Sequence, residues 1–285
     1  MIAESTFWTG PAFLDATPAE YLADPCPAPS LSASIARVML DQSPRHAYAR
    51  HPRFGGQRVA PSEPQVRGTL IHAVLLDHLD DLVFVDAEDW RTKAARVART
   101  EAEAVGKTAV LVRDFEEAEG AAFALRGNLK AEGVELVGES EVPIAWPVET
   151  EHGAIWCRSL LDHVFVDDGV IYDLKSCRSA HPRACRSHVI EYGYDIQRAA
   201  YIEGLTRLRP ELAGRIRFEF LFVELEPPYA VAIPEVDGVI ARFGEKRWHD
   251  AQELWAECLH TNQWRGYGRF RLEAPPWLLA KMEGA

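Results

Sequence analysis

The chain lacks any long apolar run. Nowhere in its 285 residues is there the stretch of about 20 apolar residues that a membrane-spanning helix needs. The opening MIAESTFWTG also lacks the charged-then-apolar layout of a signal peptide, so the expectation is no membrane association and a cytoplasmic location. Cysteine is sparse: Cys26, Cys157, Cys177, Cys185 and Cys258 are an odd set without disulfide-like spacing, which fits a reducing compartment. Net positive charge is missing too. With 31 Lys and Arg against 43 Asp and Glu the net charge is −12, which excludes a broad basic footprint. A nucleic acid would need a local basic groove, for which Arg91, Lys93, Arg96 and Arg99, with Arg183 and Arg186, are candidates. No Gly-x-x-x-x-Gly-Lys-Ser/Thr run is present, so no ATP site is expected, and there is neither an internal repeat nor a low-complexity linker.

What is present fits a folded enzyme: 47% hydrophobic and 10% aromatic content over a length sufficient for one elaborated domain. Residues 1–29, rich in Pro and Ala, read as an irregular N-terminal arm, and 30–285 as a single domain with a helical insertion at 90–131. Ser30-Leu-Ser32 caps a helix to about Asp41, and Ser43-Pro44 starts a shorter one. Gly68 to His72 opens an amphipathic helix with Leu70, Val74, Leu75 and Leu79 at core spacing. The charged, Ala-rich stretch at 90–131 reads as two helices broken near Gly106-Lys107. Strands follow at about 141–148, 159–166 and 170–176. A long helix comes next at 190–207. A second hairpin at 215–225 and 229–233 turns around Pro227-Pro228, and a helix covers 237–260. The fold class is α/β, a mixed β-sheet flanked by helices.

The chemistry concentrates between residues 158 and 201. Asp-Gly between two runs rich in β-branched and aromatic residues signals a hairpin, because the turn needs positive φ. With Asp168-Gly169 as a two-residue loop, Asp162 lies opposite Lys175 and Asp173 opposite Val164. Side chains alternate along strands and cross-strand partners share a face, so Asp162, Asp173 and Lys175 project together while Leu174 points to the other side. An isolated Asp-x-Lys is ordinarily a solvated strand or a simple ion pair. Three titratable groups on one face of a core hairpin suit a metal site instead. Gln197 and Tyr201 are four residues apart on the following helix, so they share a face, where they either pack or brace the lysine, a water or a phosphate.

The order Gly68-x-x-x-His72, Glu141, Asp162, Asp173-Leu-Lys175, Gln197-x-x-x-Tyr201 resembles the PD-(D/E)XK nuclease superfamily, within it the RecB-type branch and phage RecE-type exodeoxyribonuclease VIII. Ser32 to Pro44, Trp264-Arg-Gly-Tyr267 and Pro275-Pro276-Trp277 extend the likeness to about residues 30–280. The resemblance implies a PD-(D/E)XK restriction-endonuclease-like core. Asp162, Asp173, the Leu174 carbonyl and His72 would hold a metal, with Glu141 as a second-metal or outer carboxylate. Lys175 would position or deprotonate the attacking water, and Gln197 and Tyr201 would belong to the motif behind the catalytic strand. Mg²⁺ is the expected cofactor, with Mn²⁺ able to substitute; no iron–sulfur cluster is expected, because the cysteines lack the one-plus-three arrangement. Asp173 stands where the signature more often has Glu, a variant the branch tolerates.

The function that follows is a Mg²⁺-dependent double-stranded DNA exonuclease. It would resect one strand of linear duplex for phage-type single-strand annealing recombination, with an annealing protein as partner and a ring-shaped homo-oligomer as assembly. The alternatives are a structure-specific or single-strand nuclease, closer to Cas4-like or restriction relatives, and a catalytically silent DNA-binding protein.

Overall fold

Apolar β-branched runs interrupted by glycine turns build the centre of the molecule, and helices with one apolar stripe cover it on both sides. The computed structural model describes residues 9–56, 63–77, 79, 82–105 and 107–283. Its strands are β1 (Ala12–Phe13), β2 (Ser30–Leu31), β3 (Leu82–Val85), β4 (Thr108–Leu111), β5 (Glu139–Thr150), β6 (Gly153–Phe165), β7 (Val170–Cys177), β8 (Arg217–Glu224) and β9 (Val231–Ala232). Its helices are α1 (Pro18–Leu22), α2 (Ala33–Asp41), α3 (Pro44–Arg50), α4 (Glu63–Leu75), α5 (Lys93–Ala104), α6 (Val112–Ala131), α7 (Pro182–Glu191), α8 (Tyr194–Leu208), α9 (Gly238–Thr261) and α10 (Pro276–Glu283).

The main sheet runs β1-β5-β6-β7-β8-β9, with β2 added in parallel to β6. Its neighbours are antiparallel except for the parallel β7–β8 and β2–β6 pairs, so the sheet is mixed, as the sequence implies. One face packs against α2, α8 and α9 through Ile144, Trp146, Leu161, Ile171, Ile196, Trp248 and Trp255. The other packs against α4 and α6 through Leu70, Ile71, Leu125, Tyr172, Leu174 and Leu221. No helix among the described residues is long and apolar enough to cross a membrane.

Several elements differ from their sequence-based expectation. The turn after β6 is four residues long (166–169), because pairing begins at Phe165↔Val170 rather than at Asp167. The register of the paired residues therefore moves by two, and pairing stops at His163↔Tyr172, so Asp162 is not paired across from Lys175. The helix expected over 190–207 begins only at Tyr194, as α8, and is preceded by an unexpected helix, α7; the two meet at Gly193, whose φ of 71° ends one and caps the other. Gly68 lies inside α4 rather than at its start, and Leu79 follows the helix. The stretch at 90–131 contains β4 between its helices, paired in parallel with the unexpected β3. Its second helix, α6, contributes Ala118, Ala121, Ala122, Leu125 and Leu129 to the core. Gly106 and residues 1–8 fall outside the described residues.

Residues expected to be irregular near the N-terminus are pinned by one buried carboxylate. Asp24, fully buried, accepts from Ser30 N (2.9 Å) and Ser30 Oγ (2.7 Å), and lies 3.2 Å from Arg158 Nη1 and 3.3 Å from His51 Nε2. His51 Nε2 also lies 3.0 Å from the Ser30 carbonyl, while its Nδ1 accepts from Arg53 N. Burial alone would push the Asp24 carboxyl up; the His51 bond, the Arg158 charge and the Ser30 donors outweigh it and leave it below the usual range.

Candidate active site

The site forms where two central strands part. Pairing between β6 and β7 ends at His163↔Tyr172. Beyond that point Asp162 Oδ2 accepts from Leu174 N at 3.0 Å, so a carboxylate takes the position a strand carbonyl would fill. The N–H and C=O of one strand residue point the same way, so the Leu174 carbonyl also faces the gap. Side-chain alternation slips at Asp162: Leu161 and Val164 both join the core beneath α8, while His163 stacks on Tyr172, a residue of the opposite core. Glu141, at the register position opposite Asp162, has a φ of 51°, and both neighbours on β5 pair normally. Backbone distortion is thus concentrated on the two strands at this one level.

Side chains from three elements meet there. From α4, His72 Nε2 comes to 3.4 Å from Asp162 Oδ2. From β7, Lys175 Nζ lies 2.5 Å from Asp173 Oδ2. From α8, Gln197 Nε2 donates to Asp173 Oδ1 at 2.9 Å and lies 2.8 Å from Tyr201 Oη, whose hydroxyl donates to the Leu160 carbonyl. The two amide hydrogens of Gln197 are therefore both used, and the pair clamps β7 to β6 across the gap. Gly68 makes the approach of α4 possible, since a Cβ there would meet Ser176 Oγ at 3.0 Å.

Burial governs the charges. It pushes the Asp173 carboxyl up, to about 7, with the Asp162 charge adding to the rise against the pull of Lys175. Burial alone would lower Lys175, but the Asp173 and Asp162 carboxylates outweigh it and hold the ammonium above its usual range. Burial opposes ionisation of Asp162 as well; Lys175, His72 and the Leu174 N–H overcome it and leave Asp162 lowered. His72 is raised, because its bond to Asp162 and that carboxylate's charge, with a further contribution from Glu141, exceed the effect of burial.

All residues expected at the site are thus in or beside one gap. Asp162, Asp173, Lys175, Gln197 and Tyr201 are directly connected, His72 reaches Asp162, and Glu141 is close enough for its charge to act on His72. Tyr194 was missed by the sequence reading: Lys175 Nζ lies 4.7 Å over its ring. Its spacing of three before Gln197, one helical turn, was the signal.

Among the described residues no three His, Cys, Asp or Glu side chains converge as a ready-made metal cage. The acids come instead as two pairs, one with His72 and one with Lys175. Their chemistry still fits a hard cation: two carboxylates and a backbone carbonyl are all oxygen donors, and Mg²⁺ takes one or two carboxylates and keeps several waters. Asp173 Oδ2 is also buried, with the Lys175 ammonium 2.5 Å away.

Comparison with known proteins agrees with this arrangement. Residues 34–269 match the family model described as a PDDEXK-like domain of unknown function (DUF3799). The chain belongs to this family. The PDDEXK-like domain also resembles a crystal structure described as a "Putative exonuclease" from Eubacterium rectale, with a TM-score of 0.60 at 13% identity, covering 95% of this chain and 100% of that one. A second solved structure, SSO0001, aligns over 64% of this chain and 85% of that one at 15% identity, with a TM-score of 0.25. No curated protein matches. The PD-(D/E)XK fold expected from the motif order is therefore the fold of this domain.

Proposed function

We propose that this PDDEXK-like domain is a divalent-metal-dependent DNA nuclease that degrades linear duplex from its ends. The observation that carries the reading is the gathering of Asp162, Asp173, the Leu174 backbone and Lys175 at the parting of β6 and β7, braced by Gln197 and Tyr201. The description of its structural neighbour as an exonuclease favours end-directed cleavage. Asp162, Asp173 and the Leu174 carbonyl would hold Mg²⁺, with His72 and Glu141 alongside. Bound there, the cation supplies charge neutralisation at the phosphate and a water of lowered pKa.

The residues of the chain do the rest. Lys175, kept as an ammonium by its acid neighbours, orients the attacking water and donates hydrogen bonds to the phosphate oxygens as negative charge builds on them. Water adds to phosphorus and gives up a proton to solvent, the bond to the leaving sugar oxygen breaks, and that oxygen takes up a proton from solvent. Gln197 holds Asp173 in one rotamer, and Tyr201 fixes the β6 carbonyl two residues before Asp162. The resemblance to RecE-type exonucleases extends the proposal to strand resection for annealing recombination, a single-strand annealing protein as partner and a ring-shaped homo-oligomer.

The test is digestion of end-labelled linear duplex with and without Mg²⁺, beside a covalently closed circle. Loss of the linear DNA alone, abolished in Asp173→Ala and Lys175→Ala proteins of unchanged circular dichroism, is expected. Nicking of the circle would make the domain an endonuclease. Full activity of either variant would overturn the site.

A further inference from the structure

An aromatic corner beside the catalytic lysine has no role in the chemistry above. Lys175 Nζ lies over Tyr194, Tyr194 lies 5.8 Å from Tyr192, and Tyr192 lies 5.0 Å from His188 (ring centroids). The chain of rings leads from the buried end of the site outward to Tyr192, which is 45% exposed. The Arg37 guanidinium stands over the Tyr192 ring, 5.8 Å from its centroid.

The corner is held rather than loose. Arg37 Nη2 donates to the Glu191 carbonyl at 3.0 Å, tying α2 to the end of α7. Gly193 follows with φ at 71°, and a Cβ there would meet the Arg37 side chain at 2.8 Å, so only glycine lets α2 come this near. A large exposed ring fixed in place has already lost much of the entropy that binding would otherwise remove.

Charge points to the ligand. From Arg178 to Ile190, directly after the catalytic strand, the sequence has three arginines, two histidines and no acid, in a chain of net charge −12. Arg178, Arg183 and Arg186 are all exposed, and none forms an ion pair among the described residues. Unneutralised cations with an exposed aromatic are the combination that holds a nucleic-acid strand, phosphates on the cations and a base on the ring.

We propose that Tyr192 is a stacking platform for an unpaired base of the strand whose scissile phosphate lies at Lys175, with the arginines of the β7–α7 segment holding that strand's phosphates. This rests on the nuclease reading and deepens it: the cut strand is engaged as a single strand, separated from its complement next to the site. Base–aromatic stacking tolerates any sequence, so the platform gives affinity without sequence preference.

Binding of a short fluorescein-labelled single strand to full-length Lys175→Ala protein, followed by anisotropy, tests the platform apart from cleavage. Adding Tyr192→Ala is expected to weaken binding about tenfold, while Tyr192→Phe and Tyr192→Trp stay close to the parent. In the active protein Tyr192→Ala should raise KM and leave kcat unchanged. Arg183→Glu with Arg186→Glu should flatten the dependence of affinity on salt. If Tyr192→Ala binds and cleaves like its parent while the parent cuts DNA, the platform is overturned and the nuclease reading stands. If the unsubstituted protein neither binds nor cuts DNA with any divalent cation, both fall.

Discussion

Replacing Asp24 should unfold far more than the short segment that carries it. Its carboxylate is fully buried and faces Arg158, whose side chain is 5% exposed. Asp24→Ala leaves that guanidinium without its acid, and a buried ion pair broken on one side costs about 3–5 kcal/mol. Arg158 keeps its contacts with the Ser30 carbonyl and hydroxyl, which places the expectation at the lower end of that range. Asp24→Asn keeps an acceptor for the Ser30 donors and tolerates the positive φ of 67° at this position, so its loss should be smaller, about 2 kcal/mol. Urea unfolding monitored by tryptophan fluorescence measures both. Because the penalty lies in the stranded cation, Arg158→Met should offset part of the Asp24→Ala loss in the double variant. The carboxyl is lowered in the folded state, so its stabilisation is complete above the unfolded carboxylate value of about 3.9 and is lost as pH falls through the folded one. Asp24→Asn should remove that acid-side loss. A loss under about 1 kcal/mol for Asp24→Ala, or strict additivity with Arg158→Met, would refute the reasoning.

Two further outcomes follow from the site. Asp173 is raised to about 7, so the folded protein binds this proton more tightly than the unfolded chain; in chelator, stability should fall as pH rises from about 4 to 7, and Asp173→Asn should flatten the decline in urea midpoints. Gly68→Val should push α4 away from Ser176 and carry His72 off Asp162, lowering kcat at least tenfold with the fold retained, since displacements near 1 Å cost about a hundredfold.

The strands carrying the site were legible because β-branched runs and a period of two are local signals, and because Leu174 shares a face with Val170 and Tyr172 whichever turn joins the strands. The turn length was not. Val166 reads as strand by composition, and Asp168-Gly169 marks a turn without fixing how many residues precede it. The break between α7 and α8 was hidden because Val189 and Ile196 continue an apolar pattern across Gly193. The clustering around Asp24 has no periodicity at all. It joins residues far apart in sequence through one carboxylate, and only the folded chain brings them together. At the site, Lys175 and Gln197 were readable from spacing, whereas the slip of facing at Asp162 depends on how β5, β6 and β7 meet.

The parting of β6 and β7 has a mechanical meaning. Within a ladder, strand pairing dictates how far apart two residues stand; past His163↔Tyr172 that ruler is missing. The spacing between Asp162 and Asp173 is then set by what grips each strand from either side, α4 through His72 on one and α8 through Gln197 and Tyr201 across both. The aperture works like a jaw whose hinge is the sheet and whose handles are the two helices. Substitutions under those helices, well away from any reacting atom, would tune its opening.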